Sequence, residues 1–259
     1  MEQLDASAAK ELAEISFVLC DLDDTLTLEG ALPSASYRAL EELVRKGRQV
    51  IIVTGRPAGW CDMIARLWPV AAVVGENGAF YFRYDRQTRR MLREFQRSAE
   101  QRRADQSRLS EIFNLIQQKY PEVRLAADQA FRISDYAVDF CEDVPPLPDA
   151  IVTDIVRLFE AHGATAKISS IHVNAWIGDF SKLQMSLSVL GSLGLSEHQF
   201  RTQVAYVGDS PNDEPMFEYF PLSVGVANIR AFLPSMKAHP KWITTQPGGL
   251  GFAEFEAAI

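Results

Sequence analysis

Ile15-Ser16-Phe17-Val18-Leu19-Cys20 runs directly into Asp21-Leu22-Asp23-Asp24-Thr25. The mostly apolar half reads as a buried strand. Ending that strand in three carboxylates sets like charges side by side and raises their pKa values. A hard divalent cation held by oxygen ligands relieves the cost. The stretch therefore points to a metal-assisted phosphoryl-transfer site that other parts of the chain must complete.

Working outward, a loop with Gly30 and Pro33 leads to a helix predicted over 36–46, with Leu40, Leu43 and Val44 inward and Gly47 as its stop. Residues 49–53 predict a second apolar strand, closed by Thr54-Gly55-Arg56-Pro57. Pro57 suits the first turn of a helix reaching Leu67. A third strand, 71–74, ends in Gly75-Glu76-Asn77-Gly78. Repeated strand-then-helix units with apolar strands argue for a parallel sheet covered on both faces.

The rhythm then breaks. Residues 80–84 and 91–95 predict a hairpin, and 99–120 a polar helix with the stripe Leu109, Ile112, Phe113, Ile116, Tyr120. Strands are expected at 123–126, 131–140, 165–169 and 171–177, with a helix over 149–162 after Pro145, Pro146 and Pro148. This mixture predicts a smaller α+β insert. The parallel rhythm returns with a helix at 181–193 and a strand at 204–207 ending in Gly208-Asp209-Ser210-Pro211-Asn212-Asp213. A strand at 222–226, a helix at 229–237, a short strand at 242–244 and a closing helix from Gly251 follow. Residues 1–14 read as a polar helix or a loose tail.

At 259 residues and 47% apolar, the chain can fill one large domain or two ordinary ones. A net charge of −8 argues against nucleic acid or an anionic membrane as partner. Three cysteines without metal-ligand spacing suit a reducing cytoplasm. No apolar run is long enough to span a membrane, and the N-terminus lacks a basic start with an apolar core; a cytoplasmic location is expected. The histidines are scattered without a zinc-type pair, and no Walker-type glycine loop is present. Residues 61–66 have the wrong spacing for a cysteine-phosphatase loop.

Ligand sites in open α/β sheets form at the carboxyl ends of strands, and four strands here end in polar, small-residue stretches. Their chemistry suggests roles. Asp21 can attack phosphorus as a carboxylate nucleophile. Asp23 can protonate the leaving oxygen and later deprotonate water. Asp209 can complete a magnesium site with Asp21 and the backbone carbonyl of Asp23. Asp213 either ligates through water or orients Lys182. Thr54 and backbone N–H groups near Asp23 and Gly55 can bind phosphoryl oxygens. The Lys182 ammonium offsets the charge of Asp21 and phosphate.

In this order, DLDDT, Thr54, Lys182 and GDSPND resemble the motifs of the haloacid dehalogenase superfamily of aspartate-dependent phosphohydrolases. The insert between the second and third motifs, with GENGA at 75–79, resembles subfamily IIB, whose members carry an α/β cap and mostly hydrolyse sugar phosphates. The resemblance implies Asp21 as nucleophile, Asp23 as acid/base, and Asp21, Asp23 and Asp209 at magnesium. FSKLQ around Lys182 departs from relatives in which glycine more often follows the lysine. The expected fold is α/β: a Rossmann-like parallel-sheet core, residues 1–82 and 178–259, and an α+β cap, residues 83–177. The expected substrate is a small phosphorylated metabolite, a sugar or sugar-acid phosphate. Transfer of the phosphoryl group to a second hydroxyl, and a non-catalytic binding module, are the alternatives.

Specificity should come from the cap. Residues 171–177 alternate, with His172, Asn174 and Trp176 on one face; these either read a sugar or form a solvated sheet face. Arg56 either reaches substrate or caps a helix. Glu76 and Asn77 either touch substrate or make the turn, and Asn212 is assigned to substrate contact. The arginines between Arg83 and Arg108 form either a solvated face or a site for an anionic substrate.

Overall fold

The apolar runs that alternate with helices fold as adjacent parallel strands, because each is buried on both faces. A computed structural model describes residues 1–259, the side chain of Ala6 apart. The strands are β1 (Glu2–Gln3), β2 (Phe17–Cys20), β3 (Gln49–Val53), β4 (Ala72–Gly75), β5 (Phe80–Asp85), β6 (Arg90–Phe95) and β7 (Arg124–Leu125). They continue with β8 (Asp135–Asp139), β9 (Thr165–Ile168), β10 (His172–Trp176), β11 (Val204–Gly208), β12 (Leu222–Gly225) and β13 (Trp242–Ile243).

A nine-stranded sheet runs β1-β13-β12-β11-β2-β3-β4-β5-β6. It is parallel from β1 to β4 and antiparallel from β4 to β6. Val18 and Cys20 face one cluster, with α1 (Ala6–Leu12), α2 (Ser34–Arg45), α3 (Ala58–Leu67) and, last in the chain, α9 (Gly248–Ala257). Phe17 and Leu19 face the other, with α6 (Lys182–Ser192), α7 (Glu197–Thr202) and α8 (Glu214–Tyr219). The period-two alternation thus builds a core on each side of the sheet.

A separate four-stranded antiparallel sheet, β7-β8-β10-β9, forms the smaller unit. On one face lie α4 (Ala99–Lys119) and α5 (Asp149–Ala161). Leu109, Ile112, Phe113 and Ile116 pack with Val152, Ile155 and Phe159 on Val138, Val173 and Ala175. His172, Asn174 and Trp176 take the opposite face of β10 and are buried against the larger unit. This is the expected alternation.

Several expectations need correction. Residues 83–95, expected in the insert, continue the large sheet as the β5–β6 hairpin. Left-handed backbone at Glu76, Asn77 and Gly78 reverses the chain at once, and Phe80, Phe82 and Phe95 pack together on the core. The strand expected over 131–140 starts only at Asp135, because the N–H groups of Ile133, Ser134 and Asp135 bond to Glu76 instead of a neighbouring strand. The helix expected at 229–237 is two short 3-10 turns, the second containing Pro234, which has no N–H to continue a ladder. The N-terminal segment is no loose tail: β1 pairs with β13, and Leu4, Ala8 and Leu12 are buried. Val44, expected inward, is exposed.

Gly78 has φ +104°, and a Cβ there would lie 2.1 Å from the Ser181 carbonyl oxygen. Gly78→Ala is expected to lose roughly 2–4 kcal/mol from the combined overlap and positive-φ strain, read as a lowered urea midpoint. A loss of less than about 0.5 kcal/mol, the scale of an ordinary surface substitution, would mean that the turn and the start of α6 are not held in contact.

Candidate active site

The ends of β2, β3, β4 and β11 lie side by side, since Cys20 pairs with Ile52 and Val207, and Val53 with Val74. Backbone bonding continues one residue further: Asp21 N donates to Val207 O at 3.0 Å and Thr54 N to Val74 O at 2.9 Å. Asp21, Thr54 and Asp209 are therefore fixed at one rim of the sheet, all buried.

Lys182, the first residue of α6, reaches this rim. Its Nζ lies 2.7 Å from Asp21 Oδ2 and 3.1 Å from Asp213 Oδ1. Ser181 caps the helix by accepting from Gln184 N. Asp213 is itself held by Tyr206 Oη at 2.5 Å and by the N–H groups of Asp209 and Ser210 at 3.1 and 3.4 Å. Asp209 accepts from Thr25 Oγ1 at 2.9 Å and Asn228 Nδ2 at 3.3 Å. Asp21, Asp209 and Asp213 each offer a carboxylate oxygen, and these atoms lie within 4.8 Å of one another.

One ammonium does not balance these carboxylates. Burial pushes Asp21 up to about 7; Lys182 opposes the rise and Asp213 adds to it. Burial, then Asp213 and Asp21, push Asp209 well above its ordinary value. Burial alone would lower Lys182, but Asp21 and Asp213 outweigh it and hold the ammonium above its usual range. Buried, hard oxygen donors with excess negative charge are what a magnesium ion requires, so the residues present fit that ion.

Asp23 stands next to this cluster under Arg56. Arg56 Nε lies 3.0 Å from both Asp23 oxygens and Nη2 2.9 Å from Oδ1. The same guanidinium reaches Glu142 Oε1 at 2.6 Å, in the smaller unit, and stacks 4.4 Å over the Trp60 ring. His172 Nε2 is 2.9 Å from Glu142 Oε2, a charge-pair distance if the ring is protonated, although the angle is not that of a hydrogen bond. Glu142 is lowered to about 2, first by His172 and then, against partial burial, by Arg56. Asp21, Asp23, Gly55, Arg56, His172, Asn174 and Asn212 line one crevice between the units, about 20 Å³ in volume, room for roughly one water.

Thr54 Oγ1 accepts from Arg56 N at 3.0 Å, leaving the hydroxyl proton free to donate. Gly55 is closely approached: a Cβ would lie 3.2 Å from the Asn77 amide, which would have to shift by a few tenths of an ångström, and 3.5 Å from Asn174 Oδ1, an ordinary contact. Glu76 does not face the crevice as a substrate contact. Its carboxylate accepts from Ala58 N at 3.0 Å and from the N–H groups of 133–135 at 2.6–3.2 Å. Nor does Trp176 join His172 and Asn174 in the crevice; it stacks on Phe180 with centroids 5.8 Å apart and borders a second cavity. Arg86, Arg93, Arg97, Arg102 and Arg108 bond to nearby carbonyls, carboxylates or rings, away from the crevice.

Sequence reading missed Thr25, Asn228, Tyr206, Arg132 and Glu142. Thr25 was visible inside DLDDT. The others depend on long-range placement: Arg132 ion-pairs with Asp128 and Asp135 and donates to Gly55 O at 2.9 Å, a partner 77 positions away.

Residues 18–142 match the family model described as haloacid dehalogenase-like hydrolase. The chain is similar to an Archaeoglobus fulgidus protein named phosphoglycolate phosphatase, 26% identical over 239 residues that cover 92% of this chain and 93% of that one. Its fold is similar to a Thermoplasma acidophilum crystal structure, with a TM-score of 0.70 at 17% identity, covering 95% of this chain and 99% of that one. It is also similar to the sucrose-phosphatase of Synechocystis solved with sucrose and phosphate. There the TM-score is 0.64 at 14% identity, with 94% and 98% covered.

Glu142 generates a pH signature. Its depressed pKa, about 2 against an ordinary 4.5, contributes stability that is present above about pH 4.5 and lost as pH falls through about 2. The urea midpoint of the wild type should exceed that of Glu142→Gln near neutral pH, and the gap should shrink on acidification through that window. A gap independent of pH would rule out the pairing of Glu142 with His172 and Arg56 as its source.

Proposed function

We propose that the chain, of which residues 18–142 match the haloacid dehalogenase-like hydrolase model, is a phosphatase of that family, magnesium-dependent and acting on a sugar or sugar-acid phosphate. The observation that carries this reading is Lys182 Nζ, 2.7 Å from Asp21 Oδ2, at a rim where Asp21, Asp209 and Asp213 converge within 4.8 Å. Asp21, the backbone carbonyl of Asp23 and Asp209 would hold magnesium. When bound, the ion supplies positive charge to the carboxylates and the phosphoryl oxygens.

Asp21 attacks phosphorus, the bond to the leaving oxygen breaks, and an aspartyl-phosphate forms. Asp23 gives its proton to the leaving alcohol. It then takes a proton from the water that attacks the phosphorus of the intermediate, releasing phosphate and restoring Asp21. Arg56 covers both Asp23 oxygens in this closed arrangement, so substrate binding must draw it aside. Asp213, held by Tyr206 and two backbone N–H groups, orients Lys182. Thr54 Oγ1 and nearby backbone N–H groups receive phosphoryl oxygens. The smaller unit acts as a cap that closes over the substrate and limits water.

A small phosphorylated metabolite is supported by the name of the Archaeoglobus relative, phosphoglycolate phosphatase, and the sugar part of the reading by the sucrose and phosphate bound in the Synechocystis sucrose-phosphatase. Among the described residues no helix is long and apolar enough to cross a membrane.

Acid quenching during turnover followed by borohydride reduction should convert Asp21 to homoserine through its acyl-phosphate, read by peptide mass spectrometry, and Asp21→Asn should reduce phosphate release by at least about 10³-fold. Full phosphate release with no trapped product at Asp21 and with inversion at phosphorus would mean direct attack by water and would remove Asp21 from the nucleophile role.

A further inference from the structure

Helix α3 turns an apolar stripe away from the core. Trp60, Met63 and Leu67 fall within about 60° of one another around the helix axis, and they are 38%, 41% and 66% exposed. Phe131 of the smaller unit, 58% exposed, lies against the same helix where Gly59 leaves room, since a Cβ at Gly59 would lie 3.0 Å from Phe131 Cβ. Gly59, Trp60, Met63 and Phe131 line a groove of about 350 Å³. An exposed cluster rich in aromatic residues and Met has the composition of an interface core.

The stripe is complementary to itself. About a twofold axis beside Met63, Trp60 and Leu67 lie about 5 Å along the helix in opposite directions. Two antiparallel copies of α3 therefore set Leu67 of each opposite the Trp60 groove of the other. Charge selects the same arrangement. One flank of the stripe carries Asp62 and Arg66, with side chains 30% and 40% exposed and paired within the chain at 2.6 Å. Arg93 also reaches Asp62, at 2.9 Å. Antiparallel pairing brings the like flanks of two helices together, so Asp62 of each copy faces Arg66 of the other. We propose that α3 is the interface of a symmetric homodimer, in which Leu67 of each copy seats in the other's groove and Asp62 and Arg66 pair across the twofold axis. The contact is isologous and closes on itself. Each groove has walls from both units, so a seated Leu67 touches the larger and the smaller unit of the other copy at once. The proposal is independent of the phosphatase reading.

Analytical ultracentrifugation of the full chain should show a concentration-dependent equilibrium between monomer and dimer. Leu67→Asp should raise the dissociation constant at least about tenfold, while its circular dichroism and urea midpoint stay near those of the wild type. Asp62→Arg and Arg66→Asp should each weaken the dimer to a similar degree, because each sets like charges opposite one another. Mixed in equal amounts, these two variants should regain dimers, since one then presents a positive flank and the other a negative one. A defect confined within each chain is not rescued by mixing. A wild type that stays monomeric at every concentration would give the groove to a different protein and overturn the proposal. So would dimers that survive Leu67→Asp and both charge variants, or a mixture that dimerises no better than either variant alone.

Discussion

Burying carboxylates at neighbouring strand ends is the constraint on which the rest of this molecule depends. Asp21, Asp209 and Asp213 are almost wholly out of water, and only Lys182 among the residues around them brings a full positive charge into contact. Removing such a lysine would leave uncompensated buried charge, a penalty of several kcal/mol in comparable sites. Much of the surrounding structure serves to hold that one ammonium in place. Ser181 caps its helix, Gly78 lets the β4 turn touch the helix start, and Tyr206 fixes the carboxylate beside it.

The two units are joined by polar contacts as well as by packing. Glu76 in the larger unit binds three backbone N–H groups of the smaller one, and Arg132 in the smaller unit binds the Gly55 carbonyl of the larger. These bonds are buried or part-buried. A further tie is Arg56 to Glu142, where the Glu142 side chain is partly exposed. The first group fixes register between the units. The second holds a buried guanidinium among Asp23, Asp128 and Glu142, so an anionic ligand that displaced one carboxylate would have to replace its charge.

Much of the fold and the charged rim was legible in the chain. Strands β2, β3, β4 and β11 announce themselves as apolar runs that stop at Asp21, Thr54, Gly75 and Asp209, and the alternation in β10 put His172, Asn174 and Trp176 on one face, which the fold buries rather than leaves solvated. What failed has a common physical origin. The backbone of 133–135 looked like strand, but a side chain 57 positions or more away takes its N–H groups. Arg56 and Glu76 were recognised as polar residues at strand ends, yet which oxygen or nitrogen each meets is decided by tertiary placement. Trp176 lay on the right face of its strand, but one step further along, Phe180 claims its ring. Periodicity reports faces; it does not report which neighbour fills them.

Gly78 and Ala79 mark a gate in the chain's path. Gln96 N bonds to Ala79 O at 2.9 Å as the chain leaves the large sheet, and Ser181 meets Gly78 on its return. The intervening segment is thus a polymer loop whose two ends are already pinned together by the host. Closure entropy for such a loop grows only with the logarithm of its length, about 0.6 kcal/mol for a doubling. The entropic cost of closing that loop is accordingly insensitive to how large the inserted unit is. A longer or shorter insert can run between the same two points, provided it keeps the groups that bond Glu76, Arg56 and Gly55.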